Sequence, residues 1–380
     1  MHKGYKIRLY PTKEQEILIW KHFGASRFMW NHMVELQESN YKDGGKFISH
    51  FSMNKLVTQM KKEEQYSWLS EVSTATLHRT CEDVAVAYKR FFDRKNGHPR
   101  FRSRKKPKQS YPVRCEKQYF CGDCVFVEKL RKVKYKSDFK FPENKKQRYY
   151  NVRLSFESGK YFLSFDVECE NQAYQLNDYS MGIDLGVKEL AVVACGDEQY
   201  VFHNINKSKK MKSLDRKILY HQKCISRKFE ESKKRNKGKY TKTNNIAREQ
   251  AKVKKLYAKQ ANIRTNYIHQ TTHLLVSKLP KRVTMEKLNV LGLMKNRHLS
   301  KAIQYQCFDR FIKQMQYKCK WRGIEFVQAD RFYPSSKTCS GCGEIKKDLK
   351  LSDRMYVCHN CGLQIDRDYN AAINLMRYEA

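Results

Sequence analysis

Three carboxylates and four thiols carry the chemistry that this sequence offers. Asp184 stands in "MGIDLG" (181–186) and Glu286 in "VTMEKL" (283–288), each flanked by apolar residues in a stretch that reads as a β-strand. A carboxylate inside a sheet is costly unless it is paired or holds a metal. The third acid comes from "IDRDYN" (365–370), where Asp366 and Asp368 both sit at the start of a helical pattern. Asp368 shares a helix face with Ala371, Ala372 and Leu375, the stripe expected to pack on a sheet, whereas Asp366 suits an N-cap. Asp368 is therefore the expected third ligand. Acids gathered in this way suit two Mg²⁺ ions, which supply a nucleophilic water and stabilise a leaving oxygen in phosphodiester hydrolysis. Each acid taken alone could be a cap or a surface ion pair, and the case rests on the three together.

The thiols are Cys339 and Cys342 in "CSGC" and Cys358 and Cys361 in "CHNC", a C-x2-C, fifteen residues, C-x2-C spacing. Two such turns complete a tetrahedron around Zn²⁺, and four thiolates leave no position open for catalysis, so a structural zinc ribbon is expected. "CGDC" (121–124) has only Cys115 nearby and lacks a partner knuckle; Gly122 and Asp123 make a hairpin turn there. His359 lies inside the second zinc knuckle and reads as a neighbour, not a ligand.

These residues need a scaffold. The chain has 380 residues, enough for two or three domains, with 40% hydrophobic and 31% charged residues. Its net charge of +38 calls for a polyanion, and nucleic acid is the obvious one. The sequence has no apolar run of membrane-spanning length, and "MHKGYKIRLYP" lacks a signal-peptide core. Thirteen scattered cysteines argue against a closed disulfide framework and fit a reducing cytosol.

Residues 3–9 alternate as a strand. A small helical unit follows over 12–95, with Thr12 capping the first helix and Ser73 or Thr74 capping "STATLHRTCEDVAVAYKRFF". Trp20, Phe23 and Trp30 read as its core. Residues 110–176 alternate apolar and polar residues as antiparallel strands, with "ESGK" as a hairpin turn. Beyond 180 come three short strands, a long basic helical stretch (207–279), a strand at "RVTMEKLN", an amphipathic helix, a fifth strand and a final helix. That order suggests an RNase H-like α/β fold, with its acids on a central strand, a neighbouring strand and a late helix. The expected boundaries are a β unit of 1–11 and 96–178, a helical insert of 12–95, an α/β domain of 179–380 and a zinc ribbon at 333–364 within it.

At these residues the sequence resembles the TnpB family, the OrfB-type proteins of bacterial insertion sequences that look ancestral to type V CRISPR effectors. The resemblance is carried by "GIDLGVKELAVV", "MEKLNVLGLMKNRHLSKAI", "DRFYPSSKTCSGCG", "DRDYNAAINL", "GHPRFRSRK" and "KIRLYPTKEQE", spread over nearly the whole chain. It implies a wedge β-barrel with a helical recognition insert, then a RuvC domain. It implies a guide RNA from the transposon end, which pairs with target double-stranded DNA beside a short adjacent motif, and a single RuvC site that cuts it. The family's catalytic acids fall on Asp184, Glu286 and Asp368, and its zinc ligands on Cys339, Cys342, Cys358 and Cys361. Phosphate contact and base stacking are expected from Arg100, Phe101, Arg102, Arg104, Lys105 and Lys106 in "PRFRSRKK". The basic stretch 207–279 suits a channel wall for the heteroduplex. The expectation is thus a metal-dependent DNA endonuclease of the bacterial cytoplasm, with Mg²⁺ and Zn²⁺ as cofactors. It acts as a monomer, with a dimer on one RNA as the alternative. The rival readings are a guide-directed repressor without cleavage, a strand-transfer transposase and a junction resolvase.

Overall fold

The structure is a computed structural model and describes residues 2–114, 119–142, 148–170, 172–350 and 353–379. Cys115 lies outside the described residues. The chain divides into two compact units, 1–170 and 171–380.

In the first unit, β1 (His2–Tyr10) leads into α1 (Lys13–Lys42), α2 (His50–Met60) and α3 (Thr74–Phe92). Six strands follow: β2 (Lys108–Pro112), β3 (Tyr119–Cys121), β4 (Cys124–Val127), β5 (Arg131–Lys136), β6 (Tyr149–Glu157) and β7 (Lys160–Glu168). Thr12 caps α1 in a capping box with Gln15, which satisfies two otherwise orphaned backbone donors. β1 pairs antiparallel with β5 and β7, so the three helices are inserted between the first strand and the rest of the sheet.

The sheet order is β2-β6-β7-β1-β5-β4-β3. The expected closed barrel is corrected here: among the described residues the seven-stranded sheet is open, with β2 and β3 at its two edges. The edge strands are short, and β2 ends at Pro112, which has no N–H to extend the ladder. Tyr111 from one edge and Phe120 from the other still share one aromatic core with Tyr149 and Phe165. Phe23 is buried in that core, and the Trp20 indole donates to the Tyr161 hydroxyl and packs on Phe156. These two aromatics dock α1 on the sheet. Only Trp30 belongs to the helical core, with Met33, Val57, Leu77 and Val84.

The second unit holds β8 (Asn177–Leu185), β9 (Glu189–Cys195), β10 (Glu198–His203), α4 (Lys209–Arg235), α5 (Asn244–Ser277) and β11 (Pro280–Glu286). After these come α6 (Val290–Leu293), α7 (Ser300–Gln306), α8 (Phe308–Arg322), β12 (Glu325–Ala329), β13 (Met355–Val357), β14 (Gln364–Asp366) and α9 (Arg367–Met376). The five-stranded sheet runs β10-β9-β8-β11-β12, antiparallel across the first three strands and parallel across the last two pairings.

Side chains alternate across β8. Met181, Ile183 and Leu185 join a core with Ile268 and Leu275 of α5 and Phe311 and Met315 of α8. On the opposite face, Ala372 of α9 packs on Val192 and Ala194 of β9. The sheet is therefore covered by helices on both faces. α4 and α5 are tied by Gln260 to Asp215 at 2.7 Å and by His221 to Glu249 at 2.6 Å. Among the described residues no helix is long and apolar enough to cross a membrane.

Candidate active site and metal centre

Register places the first two acids side by side. β8 and β11 run parallel, with Gly182 opposite Thr284 and Ile183 opposite Met285, so the next step along each strand brings Asp184 beside Glu286. The third acid is delivered by α9. Asp366 is its N-cap, accepting from the backbone N–H of Asp368 at 2.9 Å and of Tyr369 at 3.0 Å. Asp368 then sits one turn before Ala372 on the same helix face. α9 meets β8 at Gly182: a Cβ there would collide with the carbonyl oxygen of Ala372 and the backbone nitrogen of Met376. Gly182 and Asp184 share a strand face, so this close approach sets Asp368 over Asp184.

The electrostatics reflect the crowding. Burial pushes the Asp184 carboxyl well above the ordinary carboxylate range, and the charges of Glu286 and Asp368 push it further. Arg367 opposes the shift, and Asp366 adds a smaller push. Arg367 also donates to Asp368 Oδ1 at 3.2 Å, and Arg354 lies 3.9 Å from Oδ2. The buried Ser335 hydroxyl donates to Glu286 Oε1 at 2.7 Å. Like charges held together in this way favour a protonated acid or a bound cation. The all-oxygen donor set suits a hard divalent ion such as Mg²⁺.

A cavity of about 470 Å³ opens beside Glu286 at the carboxyl ends of β11 and β12, lined also by Asn289, Asp330, Arg331 and Tyr333. Ser335, Arg354, Arg367 and Asp330 were not singled out from the sequence. None lies in an apolar pattern: Asp330 is placed by the pairing of Ala329 with Glu286, Arg367 is the neighbour of Asp368, and Ser335 and Arg354 reach the acids only when the 330–368 segment folds back on α9. The signal that could have found the fold-back is the buried Asn pair of α9. Asn370 and Asn374 donate to the Thr338 carbonyl at 2.7 and 2.6 Å, and Asn374 also to that of Ser335 at 2.8 Å.

The cysteine cluster is more regular. The sulfurs of Cys339, Cys342, Cys358 and Cys361 all lie within 4.8 Å of one another. The Cys339–Cys361 and Cys342–Cys358 pairs are 3.6 Å apart. A tetrahedron with Zn–S bonds of about 2.3 Å has S···S edges of about 3.8 Å, so the spacing fits a metal. Each knuckle turns at a glycine with positive φ, Gly343 at 79° and Gly362 at 75°. The backbone N–H of Glu344 is the largest factor drawing the Cys342 thiol down to about 6, while, against the Leu363 backbone hydrogen bond, the neighbouring sulfurs push the Cys361 thiol up to about 12, so the four thiols share their protons as one cluster. His359 is exposed and outside the cluster. Cys121 and Cys124 face each other across the Gly122 turn, and among the described residues no metal-holding group includes them.

In the first unit, Arg100, Phe101, Arg104, Lys105 and Lys106 are exposed. Arg102 differs from the expectation for the arm. Its guanidinium lies 3.5 Å from the Trp30 ring centroid, and burial pulls its pKa down to about 10. Asn31 clamps its backbone through hydrogen bonds of 2.7 and 3.0 Å. Arg102 is spent on packing, whereas its basic neighbours Arg100, Arg104, Lys105 and Lys106 are exposed.

Comparison with solved structures shows which class this architecture belongs to. A cryo-EM structure of a Cas12f1–sgRNA–target DNA complex superposes with a TM-score of 0.59 at 13% identity, covering 99% of this chain and 98% of that one. The mini-RNA-guided endonuclease CRISPR-Cas_phi3 superposes at 0.54 and 10% identity, covering 99% and 92%. The fold is that of these compact effectors.

Family models match at three places: a helix-turn-helix domain of the OrfB IS605 type over residues 1–46, a "Probable transposase" of the same type over 164–297, and a Cas12f1-like TNB domain over 308–375. A Streptomyces pristinaespiralis protein, provisionally named an RNA-guided DNA endonuclease, is 28% identical over 98% of this chain and 88% of its own length. The similarly named InsQ of Escherichia coli K12 is 27% identical over 98% and 91%. A TnpB-like protein, L770, of Acanthamoeba polyphaga mimivirus is 23% identical over 98% and 72%. Over nearly its whole length the chain is thus similar to the OrfB, or TnpB-like, proteins of IS605-type insertion sequences.

Proposed function

We propose that this chain is an RNA-guided DNA endonuclease of a transposable element, cutting target DNA at a RuvC-type site built from Asp184, Glu286 and Asp368. The observation that carries the proposal is the convergence of these acids, which lifts the Asp184 carboxyl above its ordinary range. A structural protein has little reason to keep three acids at such a cost. The names of the full-length relatives support the same reading.

In this reading the three carboxylates hold Mg²⁺, which supplies the nucleophilic water and stabilises the leaving oxygen. Ser335 orients Glu286 through its 2.7 Å hydrogen bond. Arg367 and Arg354 lie against Asp368 and offset its charge. The four cysteines hold Zn²⁺ in a purely structural role.

Strands β1–β7 act as the wedge unit over 1–11 and 96–178, and α1–α3 within 12–95 act as the recognition insert. Residues 179–380 act as the RuvC-like domain, with 333–364 as its zinc module. Guide RNA and target DNA are held by the basic surface, with Arg100, Phe101, Arg104, Lys105 and Lys106 on the RNA. The test is to sequence the RNA that co-purifies with the chain. One defined species ending in a variable guide is the expected result; random cellular RNA would contradict it.

A further inference from the structure

A second cavity, of about 480 Å³, lies in the first unit between the C-terminal ends of α1 and α3. Its walls are rings. Phe47 meets Phe92 edge-to-face with centroids 6.1 Å apart, and Tyr88 meets His98 edge-to-face at 5.5 Å. Phe92 is 58% exposed and Phe47 46%. Two open phenylalanine faces in one hollow of so charged a chain mark a binding site, not core packing.

The polar groups around the rings are unequal. The Gln37 and Asn40 carboxamides are consumed by the following loop, donating to the carbonyls of Ile48 and Lys46 at 2.6 Å each. The Nδ1 hydrogen of His98 goes to the Pro99 carbonyl at 2.9 Å. Among the described residues Glu38, which lines the cavity, makes only a 3.9 Å approach to that same nitrogen, so its carboxylate keeps accepting capacity. An apolar side chain entering here would leave this carboxylate buried and unsatisfied. A flat ring with donors on its edge would stack on Phe92, the more exposed of the two, with Phe47 at its side, and satisfy it. Lys42 also lines the cavity, and Lys46, Lys89 and Arg90 adjoin lining residues in sequence and are exposed, so a phosphate beside that ring would be neutralised.

We propose that this cavity is a guanine pocket that takes one unpaired base of the bound RNA, with the base stacked on Phe92, Phe47 walling its side and Glu38 reading the base edge. Guanine alone among the four bases presents two adjacent donors, N1–H and the N2 amino group, that one carboxylate accepts together. Splayed bases stacked on aromatic rings and read on their pairing edge are the usual mode of single-strand RNA recognition. The inference rests on the RNA-binding reading above.

The test is calorimetric titration of the full chain, washed free of nucleic acid in high salt, with GMP, AMP, CMP and UMP. RNA retention is assayed on the same preparation. GMP should bind at least about tenfold more tightly than the other three. E38Q should weaken GMP by about ten- to a hundredfold, the scale of a bidentate base contact, with little effect on UMP. F92A should weaken all four nucleotides. Equal binding of all four, or no binding of GMP by chain that retains RNA, overturns the pocket and leaves the RNA-guided reading standing. Failure to retain any RNA counts against that reading instead.

Discussion

The Ala372 carbonyl of α9 packs against Gly182 of β8 so closely that no side chain fits between them. This contact sets the height of the last helix above the sheet, and with it the position of Asp368 over Asp184. G182A should force α9 away, because backbone rather than a flexible side chain is the obstacle. Overpacking of this kind costs about 1–3 kcal/mol, or more where backbone must move. The expected outcome is a lowered melting temperature together with loss of DNA cleavage, measured by thermal denaturation and a plasmid assay. Unchanged melting would show that α9 does not sit flat on β8.

Asp184 links the site to stability. Its carboxyl is raised by burial first, then by Glu286 and Asp368. The native state therefore holds a proton that the unfolded chain has already released. Stability of the metal-free protein should fall as pH rises through the ordinary carboxylate range toward the elevated pKa, and stay low above it. D184N removes the buried charge and should melt higher than the parent at pH 7.5 without metal. Mg²⁺ should raise the parent's melting temperature and have a smaller effect on D184N. A lower melting temperature for D184N would mean that the charge is satisfied by the protein alone.

The cysteine cluster should hold one Zn²⁺ per chain. C358S removes one of two buried sulfurs of the set and should release zinc, because structural zinc binding is folding free energy. The ribbon is tied to α9 through Asn370 and Asn374. Protease sensitivity should therefore spread from 333–364 into the last helix. Metal analysis combined with limited proteolysis checks both; full zinc content in C358S would refute the assignment.

The basic arm should divide by residue. Neutralising Arg100, Arg104 and Lys105 should weaken RNA retention and flatten its salt dependence, as lost phosphate contacts do. R102A should leave the salt slope unchanged and destabilise the first unit by about 1–2 kcal/mol through its lost packing on Trp30. Filter binding across a salt series and denaturant unfolding separate the two effects.

What the sequence made legible has a local cause. Asp184 and Glu286 are conspicuous because a charge between apolar neighbours in a strand is anomalous, and Asp366 reads as a cap because it opens a helical pattern. Each C-x2-C pair is a local turn, so its spacing is its geometry. Groups brought in from a distance were not legible. Ser335 reaches Glu286 across 49 residues, and Arg102 reaches Trp30 across 72, with nothing periodic to announce either. The edges of the first sheet escaped for a related reason. Alternation reports which face of a strand is buried, but not whether the first and last strands meet.

Cleavage of a plasmid bearing the guide-matched target tests the central claim most directly, with parent and E286Q compared in Mg²⁺ and guided DNA binding measured in parallel. Gln keeps the shape of Glu286 and its hydrogen bond from Ser335 and removes only the charge. The parent should cut, and E286Q should bind the target equally well while cutting at least about a hundredfold more slowly. Cutting by E286Q at the parent's rate would contradict a site built on Asp184, Glu286 and Asp368.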